Sequence, residues 1–538
     1  MLISLLIMYR KNLAMTKFYK TTFAVILSFF IFLQTTRAQT IFNKKDKSYG
    51  GSRSDNATSI KKVENGNYLV SGQTISNDSQ ITGFHGGLGF FSDFWIIKIN
   101  STGKLLWQKT LGGVKEDVPF DIALSADGGY VIAGETGSVD GDVTNNHGQT
   151  DFWVVKLSTV GTLMWAHTYG GIRDDAAHSI IATADDGFIV VGKLRSPDGS
   201  NTNFWVIKIN GNGIMLWQKI YGNIFNDEAY AISPTADGGF IVAGKTQSID
   251  GINYNGFTDY MVVKADNNGN MQWQKAYGGT MRDEAHSVYQ TADGGYVIGG
   301  FTESIDKQVT NNHASFDIWI IKVNSTGVLQ WQKTLGCSDI DWTFDVIPAA
   351  DGGIIVSGDV SSTDGDIKGN HSGSDMWVAK LNNTGKVLTS ISLGGSSSDG
   401  ARSIIPVTSG YIVAGYANSN DGNVSKYFGG SDFWIVKLDQ TLSQKNIIAA
   451  NITKQTDNQL KIYPNPSAGN FRLTLPDAIA KSAVTITNSS DHIIYRNTFS
   501  DNQTSHQISV DKKVIDGIYT VTVISNEKII RQQLIIQN

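Results

Sequence analysis

The chain of 538 residues holds a single cysteine, Cys337, so no intrachain disulfide can form. There is no basic tract either. The 44 Lys and Arg stand against 49 Asp and Glu, a formal net charge of -5. A nucleic-acid backbone demands clustered Lys and Arg, so this balance argues against such a partner. Past the N-terminal region no apolar run is long enough to span a bilayer. Familiar catalytic signatures are missing too: no Gly-x-Ser-x-Gly elbow, no His-Glu-x-x-His and no Gly-rich phosphate loop ending in Lys-Ser/Thr. Aspartates are plentiful, so a glycosidase-like carboxylate pair stays open.

What the chain has instead is a repeat. The stretch 93–134 recurs with small edits to about residue 450, and its tryptophans mark the period. Trp95/Trp107, Trp153/Trp165, Trp205/Trp217 and Trp319/Trp331 each lie twelve apart, while Met261/Trp273 and Trp377/Thr389 keep the register with one member replaced. Only Trp342 falls outside this lattice once Trp434 is placed in the last unit. With no disulfide, stability has to come from burial between such repeats.

The N-terminus reads as an export signal over residues 1–38. Lys17 and Lys20 precede an apolar run at 23–33, and Thr36-Arg37-Ala38 offers small residues before a cleavage point. That run is about eleven residues, short for a membrane span. Residues 1–14 stand upstream of the pattern, and Met15 is an alternative start. The mature chain is expected to carry no membrane span.

Each unit of about 57 residues supplies four short apolar runs bounded by turn residues, which suits strands buried on both faces. In the second unit these are 118–124, 129–134, Asp151–Leu157 and Leu163–Tyr169. Ala-Asp-Gly-Gly joins the first pair and a Gly-containing link joins the third and fourth, as tight hairpins require. Counting the Tyr/Leu-Gly-Gly step, with Gly-Asn after Tyr221 and Gly-Cys after Leu335, gives seven units, from Tyr49, Leu111, Tyr169, Tyr221, Tyr277, Leu335 and Leu393. Seven four-stranded repeats predict an all-β fold, a seven-bladed β-propeller over 39–450. The last unit lacks a fourth strand and segment 40–47 lacks a unit, so the N-terminal segment is expected to complete blade 7 and clasp the ring.

Two charged positions recur in all seven units. An acid precedes the first strand (Asp55, Asp117, Asp175, Asp227, Asp283, Asp341, Asp399), and a lysine ends the third (Lys98, Lys156, Lys208, Lys264, Lys322, Lys380, Lys437). Two readings stand for the acids: turn caps, each paired with a lysine between blades, or a carboxylate ring at the channel mouth. Three residues after each acid the position varies: Thr58, Phe120, His178, Tyr230, His286, Phe344, Arg402. If the first strand is innermost, these line the channel, and His178, Tyr230, His286 and Arg402 join the acids as candidate ligand-binding residues. A packed aromatic lining is the other reading.

Four of the long links carry Asp and, seven residues later, His: Asp78/His85, Asp140/His147, Asp306/His313 and Asp364/His371. Two contain Asp-Gly-Asp, making Asp140, Asp142, Asp364 and Asp366 candidate calcium ligands, against the plainer reading of Asx-turns. Calcium is the one cofactor raised, and the EF-hand pattern is absent. In an up-and-down blade these long loops and the Gly-Gly…Asp links emerge on one face, where binding residues are expected.

The repeat patterns, Asp-Phe-Trp-x-x-Lys followed by Thr-Gly-x-x-x-Trp-Gln-Lys and Asp-Gly-Gly-Tyr, resemble tandem propeller repeats of secreted bacterial proteins and, more distantly, pyrroloquinoline-quinone-type propellers. No adjacent cysteine pair is present, so that cofactor is not carried over. After a Ser-, Gln- and Asn-rich linker at 451–460, residues 461–538 hold alternating segments at 471–475, 483–487, 493–498, 506–510, 518–524 and 529–536, which predict a small antiparallel sandwich. Tyr463-Pro464-Asn465-Pro466, with Gly517 and Tyr519 near the C-terminus, resembles the sorting domain of the type IX (Por) secretion system. The resemblance implies handling by that machinery and release or attachment at the cell surface. Two functions follow for the propeller: a binding or adhesion module for a glycan or surface protein, or a polysaccharide-acting enzyme using carboxylates on the long-loop face. A third reading is a calcium-stabilised scaffold only.

Overall fold

The computed structural model describes residues 46–442 except 87–89, 223–224, 248–256, 314 and 409. It also describes 461–536 except 464, 466, 468–469, 475–481, 489–492, 500–504, 511–516 and 526–527. The export signal and the linker expected from the sequence lie outside the described residues. The chain divides into two compact units, Met1–Ile448 and Ala449–Asn538, taken here one at a time.

The first unit is a ring of seven four-stranded antiparallel sheets. Blade 2 is typical, with Asp117–Leu124, Tyr130–Thr136, Asp151–Leu157 and Leu163–Tyr169 hydrogen-bonded in chain order. First strands of consecutive blades touch all the way round, and that of blade 7 meets that of blade 1. The first strand is therefore innermost. Every residue of the third strand in blades 1 and 2 is buried, because neighbouring blades cover both faces. This is why it reads as an unbroken apolar run around one Lys. The outer strands alternate between partly buried and exposed.

Blades are joined by repeated aromatic contacts. The Phe of one Asp-Phe-Trp packs on the Trp of the next: Phe94 on Trp153 at 4.6 Å and Phe152 on Trp205 at 4.5 Å between ring centroids. Phe433 on Trp95, at 4.4 Å, repeats the contact from blade 7 to blade 1. The second Trp of each pair lies against a hairpin glycine of the following blade. At Gly161, where φ is +82°, a Cβ would come within 3.0 Å of the Trp107 ring, so the turn conformation and the approach both require Gly.

The ring closes through the N-terminal strand Asp46–Tyr49, which pairs antiparallel with Asp432–Asp439 as the fourth strand of blade 7. The expected segment, 40–47, ran too early, and its first six residues lie outside the described ones. Asp-Lys-Ser-Tyr-Gly-Gly stands where the first unit has Gln-Lys-Thr-Leu-Gly-Gly. The structural roles match. Trp95 Nε1 donates to Gln108 at 3.0 Å, and Trp434 Nε1 donates to Asp46 at 2.7 Å. The Tyr49 hydroxyl donates to the Gly103 carbonyl of the next blade, as Tyr221 does to Gly269 and Tyr277 to Gly327.

The second unit has seven short strands in two sheets. Lys461–Tyr463, Asn470–Thr474 and Ser505–Ser509 form one, and Ile493–Phe499, Ser482–Thr487, Gly517–Ser525 and Lys528–Ile536 form the other. Phe471, Leu473 and Ile508 of the first sheet share a core with Val484, Ile486, Val521 and Leu534 of the second. That is a β-sandwich.

Candidate functional site

The seven recurrent aspartates do not face solvent. Asp55, Asp117, Asp175, Asp227, Asp283, Asp341 and Asp399 are all 0% exposed. Their oxygens are spent inside the link between blades. Asp117 Oδ2 accepts from Gly113 N at 2.8 Å and Ser138 Oγ at 2.9 Å, while its Oδ1 accepts from Thr136 Oγ1. Asp55, Asp283 and Asp399 repeat the pattern at Gly51, Gly279 and Gly395. The third-strand aspartate of the preceding blade lies beside this one. A Cβ on Gly112 would meet Asp117 Oδ2 at 2.6 Å and Asp93 Oδ1 at 2.8 Å, so Gly is the residue that lets the two carboxylates share the junction. Burial raises Asp117 and Asp432 to about 7 and Asp55 and Asp93 to about 6; the junction partners Asp93 and Asp55 add to the first two, and the loop acids Asp78 and Asp142 to Asp55 and Asp93.

Six of the recurrent lysines, Lys98, Lys156, Lys208, Lys264, Lys322 and Lys380, pair within their own blade and not with these aspartates. Lys156 Nζ lies 2.6 Å from Asp127, Lys208 2.6 Å from Asp185 and Lys322 3.0 Å from Asp293, each acid sitting in the hairpin between strands one and two. Lys98 takes Glu64 in the same place.

The Asp/His spacing of the long loops also resolves differently from its linear reading. Each His turns to the aspartate that opens the third strand. The Nδ1 atoms of His147, His313 and His371 lie 2.8, 2.7 and 2.8 Å from Asp151, Asp317 and Asp375, and each His backbone N–H donates to the same oxygen. His85 does the same with Asp93. Asp140 Oδ1 accepts from Val114 N at 2.9 Å and Asp364 Oδ1 from Ser338 N at 2.8 Å, so both tie their loops to the neighbouring link. Asp142 Oδ2 lies 3.4 Å from Gly112 N, and Asp366 lies 3.7 Å from Lys333. Calcium wants six to eight converging oxygens. Among the described residues no three His, Cys, Asp or Glu form a group that could hold a metal ion.

The variable position three residues after each acid has a common cause. In every innermost strand the register slips across that residue, at 58, 120, 178, 230, 286, 344 and 402. It is a β-bulge repeated seven times, and a bulge re-aims its side chain. Six of the seven make a belt across the channel. Phe120 meets His178 at 4.8 Å, His178 meets Tyr230 at 5.2 Å and Tyr230 stacks on His286 at 4.7 Å. His286 meets Phe344 at 5.7 Å, and the Arg402 guanidinium covers Phe344 at 3.9 Å while pairing with Asp359 at 2.8 Å. Thr58 donates instead to Ser71 O in its own blade. Burial pushes His286 down to about 3, which keeps it neutral, and its Nε2 is buried with no hydrogen-bond partner.

Beside this belt, on the long-loop face of blades 3 to 5, a cleft of about 440 Å³ opens. Four cations line it (Lys193, Arg195, Lys245, Arg282), with two acids, Glu228 and Glu284. Thr202, Asn226, Gln247 and Thr258 complete the lining, which holds no apolar side chain among the described residues. The inner charges form a ladder from blade to blade. Glu228 lies 2.9 Å from His178 Nε2 and 3.5 Å from both Lys193 and Lys245, and Lys245 reaches on to Glu284 at 3.4 Å. The Tyr230 hydroxyl donates to Glu228 at 3.1 Å and also lies 3.4 Å from Glu284. Burial alone would raise Glu228, but the His178 hydrogen bond and the charges of His178, Lys193 and Lys245 outweigh it and hold the carboxyl below the ordinary range. Glu284 is raised by burial, with Lys245 only partly offsetting. Next to Glu284 an aromatic cluster begins. Phe301, its cross-strand neighbour, stacks on Trp342 at 5.6 Å and meets Phe316 edge-on at 5.2 Å. Trp342, the tryptophan outside the lattice, is 38% exposed.

His178 and Tyr230 thus reach the cleft through Glu228, His286 packs behind Tyr230, and Arg402 stands on the belt away from it. Sequence reasoning missed Lys193, Arg195, Glu228, Lys245, Arg282 and Glu284. The available signal was the position one after each recurrent acid, where Glu228, Glu284 and Trp342 stand in place of Asn56, Val118, Ala176 and Gly400 in the other blades.

In the C-terminal sandwich, Tyr519 is buried in the core and Gly517 opens its strand. Tyr463 ends the strand Lys461–Tyr463, and Asn465 Oδ1 accepts from Ile535 N at 2.7 Å. Pro464 and Pro466 lie outside the described residues.

Comparison with known proteins matches residues 461–537 to the secretion system C-terminal sorting domain family. The chain therefore carries a type IX sorting tail, which marks proteins exported to the cell surface or extracellular space. No helix among the described residues is long and apolar enough to cross a membrane. The chain is 26% identical over 165 residues to the regulatory protein FlaEY of Caulobacter vibrioides, a match covering 27% of this chain and 17% of that protein. It thus spans less than a fifth of that relative's length. Among solved structures it is similar to the WD40 domain of Neurospora crassa Pan2, at 11% identity and TM-score 0.41, covering 75% of this chain and 99% of that one. It is also similar to the β-propeller domain of the Trilobed protease from Pyrococcus furiosus, at 9% identity and TM-score 0.36, covering 77% and 100%.

Proposed function

We propose that the protein is an exported binding propeller that holds a glycan or a surface protein at the channel mouth on its long-loop face. One observation carries this reading: the described cleft of about 440 Å³ lies on that face, lined wholly by polar and charged side chains and flanked by the exposed Trp342. Its volume falls in the range of small-ligand sites, roughly 300–1,000 Å³. Such a lining recognises hydroxyls and charges and rejects apolar ligands. The recurrent aspartates serve the scaffold, which leaves the variable mouth residues to set specificity. Screening the full-length protein and its Lys245→Ala variant against arrays of glycans and of surface proteins tests this. A ligand retained by the parent and lost by the variant is expected, and equal capture by both would sink the proposal.

A second reading is a polysaccharide-acting hydrolase, and one feature favours it. Glu228 and Glu284 share Tyr230 and Lys245, and their environments push their pKa values in opposite directions. In that reading Glu284 is the proton donor and Glu228 the ionised partner. Turnover of a bound saccharide that Glu284→Gln abolishes while binding persists would select it. Both carboxylates are already engaged by Lys245, which is why the binding reading leads.

A further inference from the structure

We infer that the ligand of the cleft is an anionic saccharide, a sugar chain bearing carboxylate or sulfate groups. This rests on the binding reading above and narrows it. The argument begins with charge. Four cations less two carboxylates leave the lining at +2, on a chain whose formal net charge is -5. A basic hollow on an acidic protein focuses anions from solution.

The inner lysines are committed to the Glu228–Glu284 ladder, so the outer arginines carry the surplus. Arg195 and Arg282 are both exposed, one from the second strand of blade 3 and one just before the first strand of blade 5. Arg195 has one carboxylate contact, 3.6 Å to Asp174, and donates to the Gly199 carbonyl at 3.3 Å, while Arg282 has no carboxylate within 4.0 Å among the described residues. A guanidinium fork matches the two oxygens of a carboxylate or sulfate, and two forks flanking one cleft present it from opposite sides.

Sugar chemistry accounts for the rest of the lining. Asn226 and Gln247 already bond one another at 3.0 Å, and Thr202 N donates to Asn226 Oδ1 at 3.1 Å, so the amides are held in place as hydroxyl partners. Trp342, stacked on the buried Phe301 across from Glu284, offers an exposed apolar ring near the polar hollow. A pyranose has both surfaces, ring C–H groups on one side and hydroxyls at its edge. An acidic peptide is the competing ligand class. Peptide grooves rely on apolar pockets or an open strand edge, and neither is present in this lining among the described residues.

The test titrates the full-length protein by calorimetry with four probes: an oligogalacturonate, a sulfated oligosaccharide, a neutral oligosaccharide of equal length and poly-glutamate. The anionic sugars are expected to bind at least about tenfold tighter than the neutral one, with the preference shrinking as salt rises. The preferred acid distinguishes carboxylate from sulfate. Arg195→Ala and Arg282→Ala are each expected to weaken the anionic sugar about tenfold, and Trp342→Ala to weaken charged and neutral sugars alike. Both arginines are exposed, and an unchanged melting temperature confirms the variants fold. Poly-glutamate binding as tightly, with no loss in Trp342→Ala, would overturn the saccharide assignment in favour of an acidic protein. Equal affinity for neutral and anionic sugars would overturn the charge argument while leaving mouth binding intact. Absence of binding by all four probes overturns this inference, and the array screen then decides the binding reading separately.

Discussion

At the residue scale the molecule separates two uses of acid. The junction aspartates are buried and raised, Asp117 and Asp283 to about 7 and Asp175 and Asp341 to about 6. A carboxyl whose folded pKa exceeds its unfolded value of 3.8 binds protons more readily when folded. Its contribution to stability is fully present below about pH 4 and is lost as pH rises through about 6 to 7. The hairpin aspartates work the opposite way. Lysine hydrogen bonds hold Asp127 and Asp185 at about 2, and the stability they give fails only as pH drops below about 4. The urea midpoint of the propeller is therefore expected to be higher at pH 5 than at pH 8, and a midpoint that falls on acidification would contradict the raised carboxyls. Gly112→Ala drives a Cβ into two of these oxygens and is expected to cost of the order of 3 kcal/mol, read as a lowered urea midpoint. Residue roles were only partly legible beforehand. Sevenfold repetition pointed to structural duty for the aspartates, but the mouth residues vary from blade to blade, and one sequence gives variation no sign of purpose. The Asp/His spacing misled because the His folds back on the next aspartate rather than the preceding one.

At the element scale, legibility followed burial. Third strands are covered on both faces, so their ends could be read to the residue, as Asp151–Leu157 shows. First strands carry a bulge that shifts their alternation midway, and nothing in an isolated strand announces a bulge. The same covering predicts where mutation hurts. Trp153 is fully buried against Phe94, and Trp153→Ala is expected to cost about 3–5 kcal/mol by chemical denaturation. Trp342→Ala, at a partly exposed ring, is expected to cost about 1 kcal/mol or less, with its effect appearing in binding instead. Equal destabilisation by the two would place Trp342 in the core and remove it from the mouth.

At the scale of the whole molecule, the count of seven came from Gly-Gly steps and the ring from a missing strand at each end. The clasp lies a few residues later than the 40–47 expected from position alone, at Asp46–Tyr49. The better marker was Asp46 in the place of Gln108. Asp46 Oδ2 accepts from both Ser425 N and Trp434 Nε1, so Asp46→Ala leaves two donors without that acceptor in the last blade. A loss of about 1–3 kcal/mol is expected, with a lowered melting temperature as the readout. Substituting Lys47, partly exposed on the same strand, is expected to change little.

The clasp also imposes an order of events on biosynthesis. Asp46 leaves the ribosome early, and its partner Trp434 follows 388 positions later. Through that interval the nascent polypeptide is an unfinished circle whose earliest strand waits for a neighbour not yet translated. Cooperative locking can come only with the closing pair, so unclosed intermediates are the species that chaperones must shelter and proteases can cut.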